Sequence, residues 1–293
     1  MYRCLHIKQW TAAVRAAAVI IGIAVVFYLA GRAVIRAHAH RTAETPVSLP
    51  VIMYHSVCDR PPTDYSVTPE QLEDDLEWLS SREYTAVSAA QLTDYAGGRG
   101  ELPEKPVMLT FDDGFYNNLS IALPLLKKYG MCAVVSIVGR YTDDYAAADP
   151  HADSYSYLTW EDVGKLAASG IVEIGSHTYD LHSCSGGRRG CAKLAGESAE
   201  EYCSMLSADI GALRTALHEK CGIEPFVFAY PFGALCSESL PVLRDSGILI
   251  TFTCREGMNS IVRDPQCLYG IFRYNRSGLD STADFMERLT GGC

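Results

Sequence analysis

The chain has 293 residues, of which 48% are hydrophobic and 20% charged, and its formal net charge is -10. That apolar fraction suffices for one large domain or two small ones with a full core, and it excludes an intrinsically disordered chain. The acidic balance, with no run of basic residues interleaved with aromatics, excludes a nucleic-acid-binding surface. Of the 11 cysteines only Cys4 precedes the apolar N-terminal stretch, and none are spaced as CxxC, which removes zinc ribbons and thioredoxin-like redox motifs.

Ala16 to Gly31 carries no charge, and Arg3, Lys8 and Arg15 precede it. This predicts a short cytoplasmic N-terminus over 1–15 and a single-pass membrane anchor over 16–35, with Arg15 and Arg32 snorkelling to the interfaces. The competing expectation is a signal peptide cleaved near Ala37-His38-Ala39, giving a secreted protein. Either way the bulk of the chain is expected outside the cell, where disulfides are possible. Residues 36–47 read as a linker and 48–293 as the functional domain, expected to be a monomer.

Pro50-Val51-Ile52-Met53-Tyr54 is a compact apolar run that predicts a first strand ending at His55-Ser56. Thr68-Pro69-Glu70-Gln71 combines a cap residue, a proline at the first helical position and a glutamine three residues after the cap, so a helix is expected through Leu72, Leu76 and Leu79. A short helix follows over Ser88 to Tyr95, then a buried strand over Val107 to Phe111. Leu119 to Tyr129 is helical in pattern, divided or kinked by Pro124 and stopped by Gly130. The same alternation continues with a strand over Met131 to Val138, a helix from Thr159 to Gly170, and a strand from Ile171 that runs into Ser176-His177. Ser183 to Ala199 reads as a loop, in which Cys184 and Cys191 are expected to form a local bridge. A long helix then carries Tyr202, Leu206, Ile210, Leu213 and Leu217 on one face. Further strands are expected over Phe226 to Tyr230, Ile248 to Thr253 and Leu268 to Tyr274, with helices over Ser237 to Ser246 and Ser281 to Leu289. Alternating strands and helices with connections long enough for crossovers predict an α/β fold, a distorted barrel of about seven parallel strands.

In such folds reactive groups sit where strands end. Val107-Met108-Leu109-Thr110-Phe111 ends in Asp112-Asp113-Gly114, and two adjacent carboxylates can share a site only if the chain turns between them, which Gly114 makes easy. A bound cation would relieve their repulsion, leaving one aspartate as ligand and the other free to move a proton. His177 and His182 are five residues apart; on a regular helix that spacing rotates the second by about 140°, so a loop or a helical bulge is needed to bring both to one ion.

The stretches LTFDDG, GSHTYDLH and FAYPFG, in this order, resemble the polysaccharide deacetylases with the NodB homology domain, carbohydrate esterase family four. The leading PVIMYHS and the five-residue histidine spacing bring the resemblance nearer to the branch of poly-N-acetylglucosamine deacetylases, and it covers roughly residues 48 to 290. It implies hydrolytic removal of acetyl groups from N-acetylated hexosamines in an extracellular polysaccharide, with one divalent metal ion, zinc by analogy. Carried over residue by residue, it makes Asp113, His177 and His182 the metal ligands and Asp112 the general base. Pro231, Phe232 and Tyr230 become the oxyanion and substrate region, with the Phe232 backbone N–H as donor. No histidine follows His218, so the resemblance to this branch places the general acid on His55. Where the family has an arginine that orients the catalytic aspartate, this chain has Ala229; Arg273 could replace it if it points inward, and a solvated strand-end arginine is the alternative. Tyr54, Tyr179 and Phe232 are candidates for a sugar-stacking wall or for core aromatics. Ala229 and the lack of the family's fourth motif leave open a catalytically impaired glycan-binding protein; a third possibility keeps the metal site but changes the ester, an O-acetyl esterase acting on a polymer such as xylan.

Overall fold

The structure, a computed structural model, describes residues 23, 25–29, 45–148 and 151–291. The chain divides into two compact units, Met1–Thr45 and Pro46–Cys293, and every element named below belongs to the second. The span expected over 16–35 lies outside the described residues except for position 23 and positions 25–29, which are helical. Among the described residues no helix is long and apolar enough to cross a membrane.

Strands β1 (Val47–Leu49), β2 (Val51–Tyr54), β3 (Ser56–Val57) and β4 (Ser66–Val67) lead into helix α1 (Pro69–Ser81), and β5 (Thr85–Ala86) into α2 (Ala89–Ala96). The acidic strand is β6 (Pro106–Phe111); a π-helical turn over Asn118–Ala122 then continues into α3 (Leu123–Tyr129). The expected division at Pro124 falls at this change of helix type, because proline cannot donate the backbone hydrogen bond that a continuous helix requires. Beyond lie β7 (Ala133–Ile137), α4 (Gly139–Ala148), α5 (Trp160–Ala168), β8 (Val172–Ser176), α6 (Ala199–Cys221), β9 (Val227–Ala229), α7 (Ser239–Asp245) and β10 (Ile250–Phe252). The chain ends with β11 (Asn259–Ile261), β12 (Tyr269–Ile271), β13 (Tyr274–Asn275) and α8 (Thr282–Thr290). Capping boxes start α1, α2, α5 and α6, through Thr68 with Gln71, Ser88 with Gln91, Thr159 with Asp162 and Ser198 with Glu201.

The main sheet follows the order β12-β10-β9-β8-β7-β6-β2-β13, and every pairing along it is parallel. Its two edge strands are consecutive in sequence, separated by Phe272 and Arg273 alone. One segment therefore pairs with β10 by its first half and with β2 by its second. The expected last strand is thus two short strands, and the path counts seven strands when that segment is counted once. The parallel α/β architecture is as expected, with its distortion concentrated where the segment changes partners.

Alternation along each strand sorts side chains into two cores. Ile52 and Tyr54 of β2, Leu109 and Phe111 of β6, and Val135 and Ile137 of β7 face outward and pack on α1, α3 and α5. Val51, Met108, Val134, Val227, Ala229, Ile250 and Phe252 face inward, where Leu92 and Tyr95 of α2 join them. Helix α2 thereby plugs the end where the strands begin. Inward-facing Glu173 of β8 caps it by accepting hydrogen bonds from the Ala89 and Ala90 backbone N–H groups at 2.5 and 3.0 Å. The opposite end, where strands finish, is left for the site.

Two sequence expectations need correction. The helix over Gly139–Ala148 and the short strands β1, β3, β4, β5 and β11 were not anticipated. The bridge between Cys184 and Cys191 is also absent: all nine described cysteines are free, Cys184 is exposed, and Cys191 is fully buried in the apolar cluster of Tyr202, Leu206 and Tyr230. In the native protein Cys184 is therefore expected to react rapidly with iodoacetamide and Cys191 only after unfolding; peptide mass mapping of the two alkylated states reads this out, and equal protection of both would contradict it.

A buried ion pair holds the segment that follows β13 to the body. Arg276 donates to Asp75 of α1 through Nε at 2.7 Å and Nη2 at 3.1 Å, and both side chains are fully buried. The hydroxyls of Tyr54 and Thr282 donate to the same carboxylate at 3.0 and 2.7 Å, and the Arg276 backbone N–H donates to the Met53 carbonyl at 2.9 Å. Arg276→Met leaves Asp75 as an uncompensated buried charge, which is expected to cost about 3–5 kcal/mol. The urea midpoint measures it, and an unchanged midpoint would refute the assignment.

Candidate active site

The acidic tip is built by a reversal of the chain. Thr110 and Asp112 lie on the same side of β6, and the backbone then turns through Asp113 at φ 71° and Gly114 at φ 75°. The left-handed conformation is rare for a residue with a side chain, and it swings Asp113 toward the cavity that Asp112 already faces. Gly114 is required for a second reason: a Cβ there would lie 2.9 Å from Ile137 Cγ2. Residues immediately after the turn secure the neighbouring strand end. Asn117 Oδ1 accepts from the Val57 N–H at 3.0 Å, and Asn118 Nδ2 donates to the His55 carbonyl at 3.0 Å. Neither asparagine was singled out from the sequence; their signal was two consecutive amides shortly after the acidic motif, beyond Phe115 and Tyr116.

Arg273 points inward. Its Nη1 donates to Asp112 Oδ1 at 2.8 Å and its Nη2 to Oδ2 at 2.7 Å, a two-pronged pairing in which the guanidinium is 0% exposed. Further hydrogen bonds run from Nη1 to Thr110 Oγ1 at 3.2 Å and from Nε to the Thr253 carbonyl at 3.0 Å. Burial alone would raise the Asp112 pKa, but the charge of Arg273 and its hydrogen bonds outweigh it and hold the carboxyl well below the usual carboxylate range. Ala229 contributes in another way: its carbonyl accepts a 2.8 Å hydrogen bond from His177 Nδ1.

That hydrogen bond places the His177 proton on Nδ1 and turns the Nε2 lone pair toward Asp113. Asp113 Oδ1 lies 3.5 Å from His177 Nε2 and 3.2 Å from His182 Nε2, and the three ligand atoms are all within 4.8 Å of one another. Four ligands at about 2.0–2.1 Å around a tetrahedral ion stand roughly 3.3 Å apart, so these atoms are spaced as a divalent metal would need. Asp113 Oδ1 is buried without a hydrogen-bond partner, which is costly for a carboxylate unless a cation completes it. Burial lowers the His177 pKa against the pull of both aspartates, favouring the neutral form that binds metals. The donor set of one carboxylate and two imidazoles therefore fits a single divalent ion with positions left open for water and substrate.

The five-residue histidine spacing is accommodated by a loop rather than a helix. Thr178 adopts φ 73° directly after His177, and the loop that follows is held by Asp209 of α6, whose two carboxylate oxygens accept from the Tyr179 and Asp180 N–H groups at 2.8 Å each. Asp209 escaped the sequence reading because nothing marks a carboxylate on a long helix as a loop anchor.

His55 follows β2 on the inward side, and its Nδ1 is buried without a partner. It shares a cavity of about 420 Å³ with Asp112, Asp113, His177, His182 and Phe232. Phe232 adopts φ 57° after Pro231, and its ring centroid lies 4.6 Å from that of His182. The side chains of the other named aromatics are elsewhere. Tyr230 turns its hydroxyl to Ser239 Oγ at 3.0 Å, Tyr54 stacks on Phe111 in the outer core, and Tyr179 donates to Asp143. Pro231 is buried beneath the turn. The aromatic wall expected from Tyr54, Tyr179 and Phe232 thus reduces to Phe232, because strand alternation or loop direction turns the other two away.

Known proteins resemble this chain over most of its length. The chain is 29% identical over 227 residues to the poly-beta-1,6-N-acetyl-D-glucosamine N-deacetylase of Escherichia coli K12, covering 71% of this chain and 34% of that protein, so it spans about a third of the relative's length. It is 28% identical over 241 residues to the putative polysaccharide deacetylase YxkH of Bacillus subtilis, covering 82% of this chain and 76% of that one. Among solved structures, a de-N-acetylase from Aggregatibacter actinomycetemcomitans superposes with a TM-score of 0.69 at 25% identity, covering 83% of this chain and 100% of that chain. The family model described as polysaccharide deacetylase matches residues 99–250, from just before the acidic strand through the histidine loop and the Pro231 turn, and the chain belongs to that family.

Proposed function

We propose that the protein is a metal-dependent N-deacetylase of N-acetylated hexosamine polymers, of the poly-N-acetylglucosamine or peptidoglycan kind, acting outside the cell. The observation that carries this reading is the cavity in which an Arg273-oriented Asp112 faces the Asp113, His177 and His182 cluster. The charge-free stretch from Ala16 to Gly31 supports export, with a membrane anchor or a cleaved signal as its two forms.

A divalent ion held by Asp113, His177 and His182, zinc by the family resemblance, would supply Lewis acidity toward both water and the acetamide carbonyl. Asp112 receives the proton of the attacking water, with its carboxylate plane fixed by the two prongs of Arg273. The left-handed turn at Phe232 presents its backbone N–H as a donor to the developing oxyanion. His55, entering the cavity from the neighbouring strand, donates the proton that lets the amine leave. Of the two grounds for a decayed, glycan-binding relative, Ala229 and the missing fourth motif, Arg273 answers the first by meeting the orienting need from the segment between β12 and β13, which favours the active enzyme.

Metal-loaded protein is expected to release acetate from N-acetylglucosamine oligomers, and Asp112→Asn to lower kcat by about 10²–10⁴-fold with the fold intact by circular dichroism. No acetate release from the wild type would sink the proposal, while faster turnover of O-acetylated xylan in a parallel assay would move it to an esterase. Arg273→Lys keeps the charge but loses the fork, and steady-state kinetics should show kcat reduced by about a hundredfold with KM little changed. Wild-type turnover by this variant would mean that the guanidinium does not orient the base.

A further inference from the structure

Helix α4, unanticipated in the sequence, meets the histidine loop with its first turn. Its first residues donate to that loop, from the Gly139 N–H to the Thr178 carbonyl at 3.1 Å and from the Arg140 N–H to the Tyr179 carbonyl at 2.7 Å. One residue on, the Tyr141 hydroxyl lies 3.2 Å from His182 Nδ1 and 3.2 Å from the His182 carbonyl oxygen. A hydroxyl has one proton to give and lone pairs to receive with. The carbonyl can only accept, so the hydroxyl donates to it and is left to accept from Nδ1–H. The two contacts together select one imidazole tautomer. The Tyr141 ring is seated independently of this, with its centroid 4.6 Å from that of Tyr157, which stacks in turn on Phe115 at 4.7 Å.

We propose that Tyr141 is a positioning residue for the metal centre: its hydroxyl keeps the His182 proton on Nδ1, so that Nε2 offers a lone pair to the ion. The proposal rests on the reading of Asp113, His177 and His182 as metal ligands. It adds a partner for His182 equivalent to the Ala229 carbonyl that serves His177. Outer partners of metal-bound histidines fix the tautomer and ring orientation in this way. The hydroxyl has a competitor. Asp113 Oδ1 stands 3.2 Å from His182 Nε2, and without Tyr141 the neutral imidazole gains by moving its proton to Nε2, facing that carboxylate. The ion would then have to displace the proton before binding.

Tyr141→Phe removes the hydroxyl and keeps the ring against Tyr157. Competition between the metal-free protein and a chromogenic chelator for Zn²⁺ is expected to show a Kd for the variant raised by about 10–100-fold, with the thermal midpoint of the metal-free protein unchanged. Tyr157→Phe, which leaves the hydroxyl of Tyr141 in place, should bind as the wild type does. In a His182→Ala background the Tyr141→Phe change should have no further effect, because the influence runs through that imidazole. A Tyr141→Phe Kd within twofold of the wild type would overturn the proposal, and so would an equal loss of affinity in the His182→Ala background. Failure of the wild type itself to bind Zn²⁺ would remove the metal reading and this proposal with it, a result distinct from binding that ignores Tyr141.

Discussion

The fully buried pairing of Arg273 with Asp112 is the constraint around which the upper end of the sheet is arranged. A guanidinium at 0% exposure is tolerable only with its charge matched and its donors satisfied, and Asp112, Thr110 and the Thr253 carbonyl do both. Those three groups belong to β6 and to the end of β10, which lie on opposite sides of the closing segment. Arg273 can reach all of them because the segment breaks there, leaving β10 behind at Ile271 and joining β2 at Tyr274. The irregularity of the sheet and the orientation of the proposed base are thus one feature. A regular strand through 272 and 273 would alternate its side chains on schedule and offer no reason for the change of partner.

Strand alternation carries the same logic to the rest of the cavity. On β8, Glu173 faces inward to cap the plugging helix α2, Gly175 faces inward where a Cβ would meet Ser136 Oγ at 2.7 Å, and His177 continues the series into the site. The interior beside Ser136 therefore leaves no room for a side chain at position 175, while Met108, Val134, Ile250 and Phe252 fill the rest of the inner core. One end is filled by α2 and the other by the polar groups of the cavity. The polar groups carry their own supports: Asp209 under the histidine loop, Asn118 under His55, and the Ala229 carbonyl beside His177.

What was legible in the sequence was local. Apolar runs and caps located the strands of the main sheet and most helices close to their bounds, since a strand ending in Asp112-Asp113-Gly114 or a Thr68-Pro69 cap is a short-range signal, while the short strands β1, β3, β4, β5 and β11 carry no such run. Helix α4 was missed because Gly-Arg-Tyr-Thr-Asp-Asp-Tyr-Ala-Ala-Ala has no apolar stripe; its stability comes from the histidine loop it packs against. Cys191 was misread because spacing within a loop says nothing about which side chain the core will take. Tyr54 and Tyr230 were placed near the site by position alone, and their side chains point away from it. The destination of Arg273 was the least legible of all, because it depends on which two strands the segment joins, a contact 161 residues distant in sequence.

The strand order also explains how the proposed division of labour arises. Asp112 and Asp113 follow β6; on one side lie β2, which leads to His55, and then the segment of Arg273; on the other lie β7 and then β8, which leads to His177 and His182. Proton-handling groups thus flank the acidic tip on one side and imidazole ligands on the other, and the turn at Asp113 points the two carboxylates to their respective partners. The family match over residues 99–250 takes in the ligand side and the tip but neither His55 nor Arg273. His55 directly follows β2 and Arg273 directly precedes β13, two strands far apart in the chain and neighbours in the sheet. A parallel barrel makes that adjacency independent of where the chain begins. Under the proposed function the orienting role at Asp112 falls to Arg273 of the closing segment, which leaves the Ala229 carbonyl to hold His177.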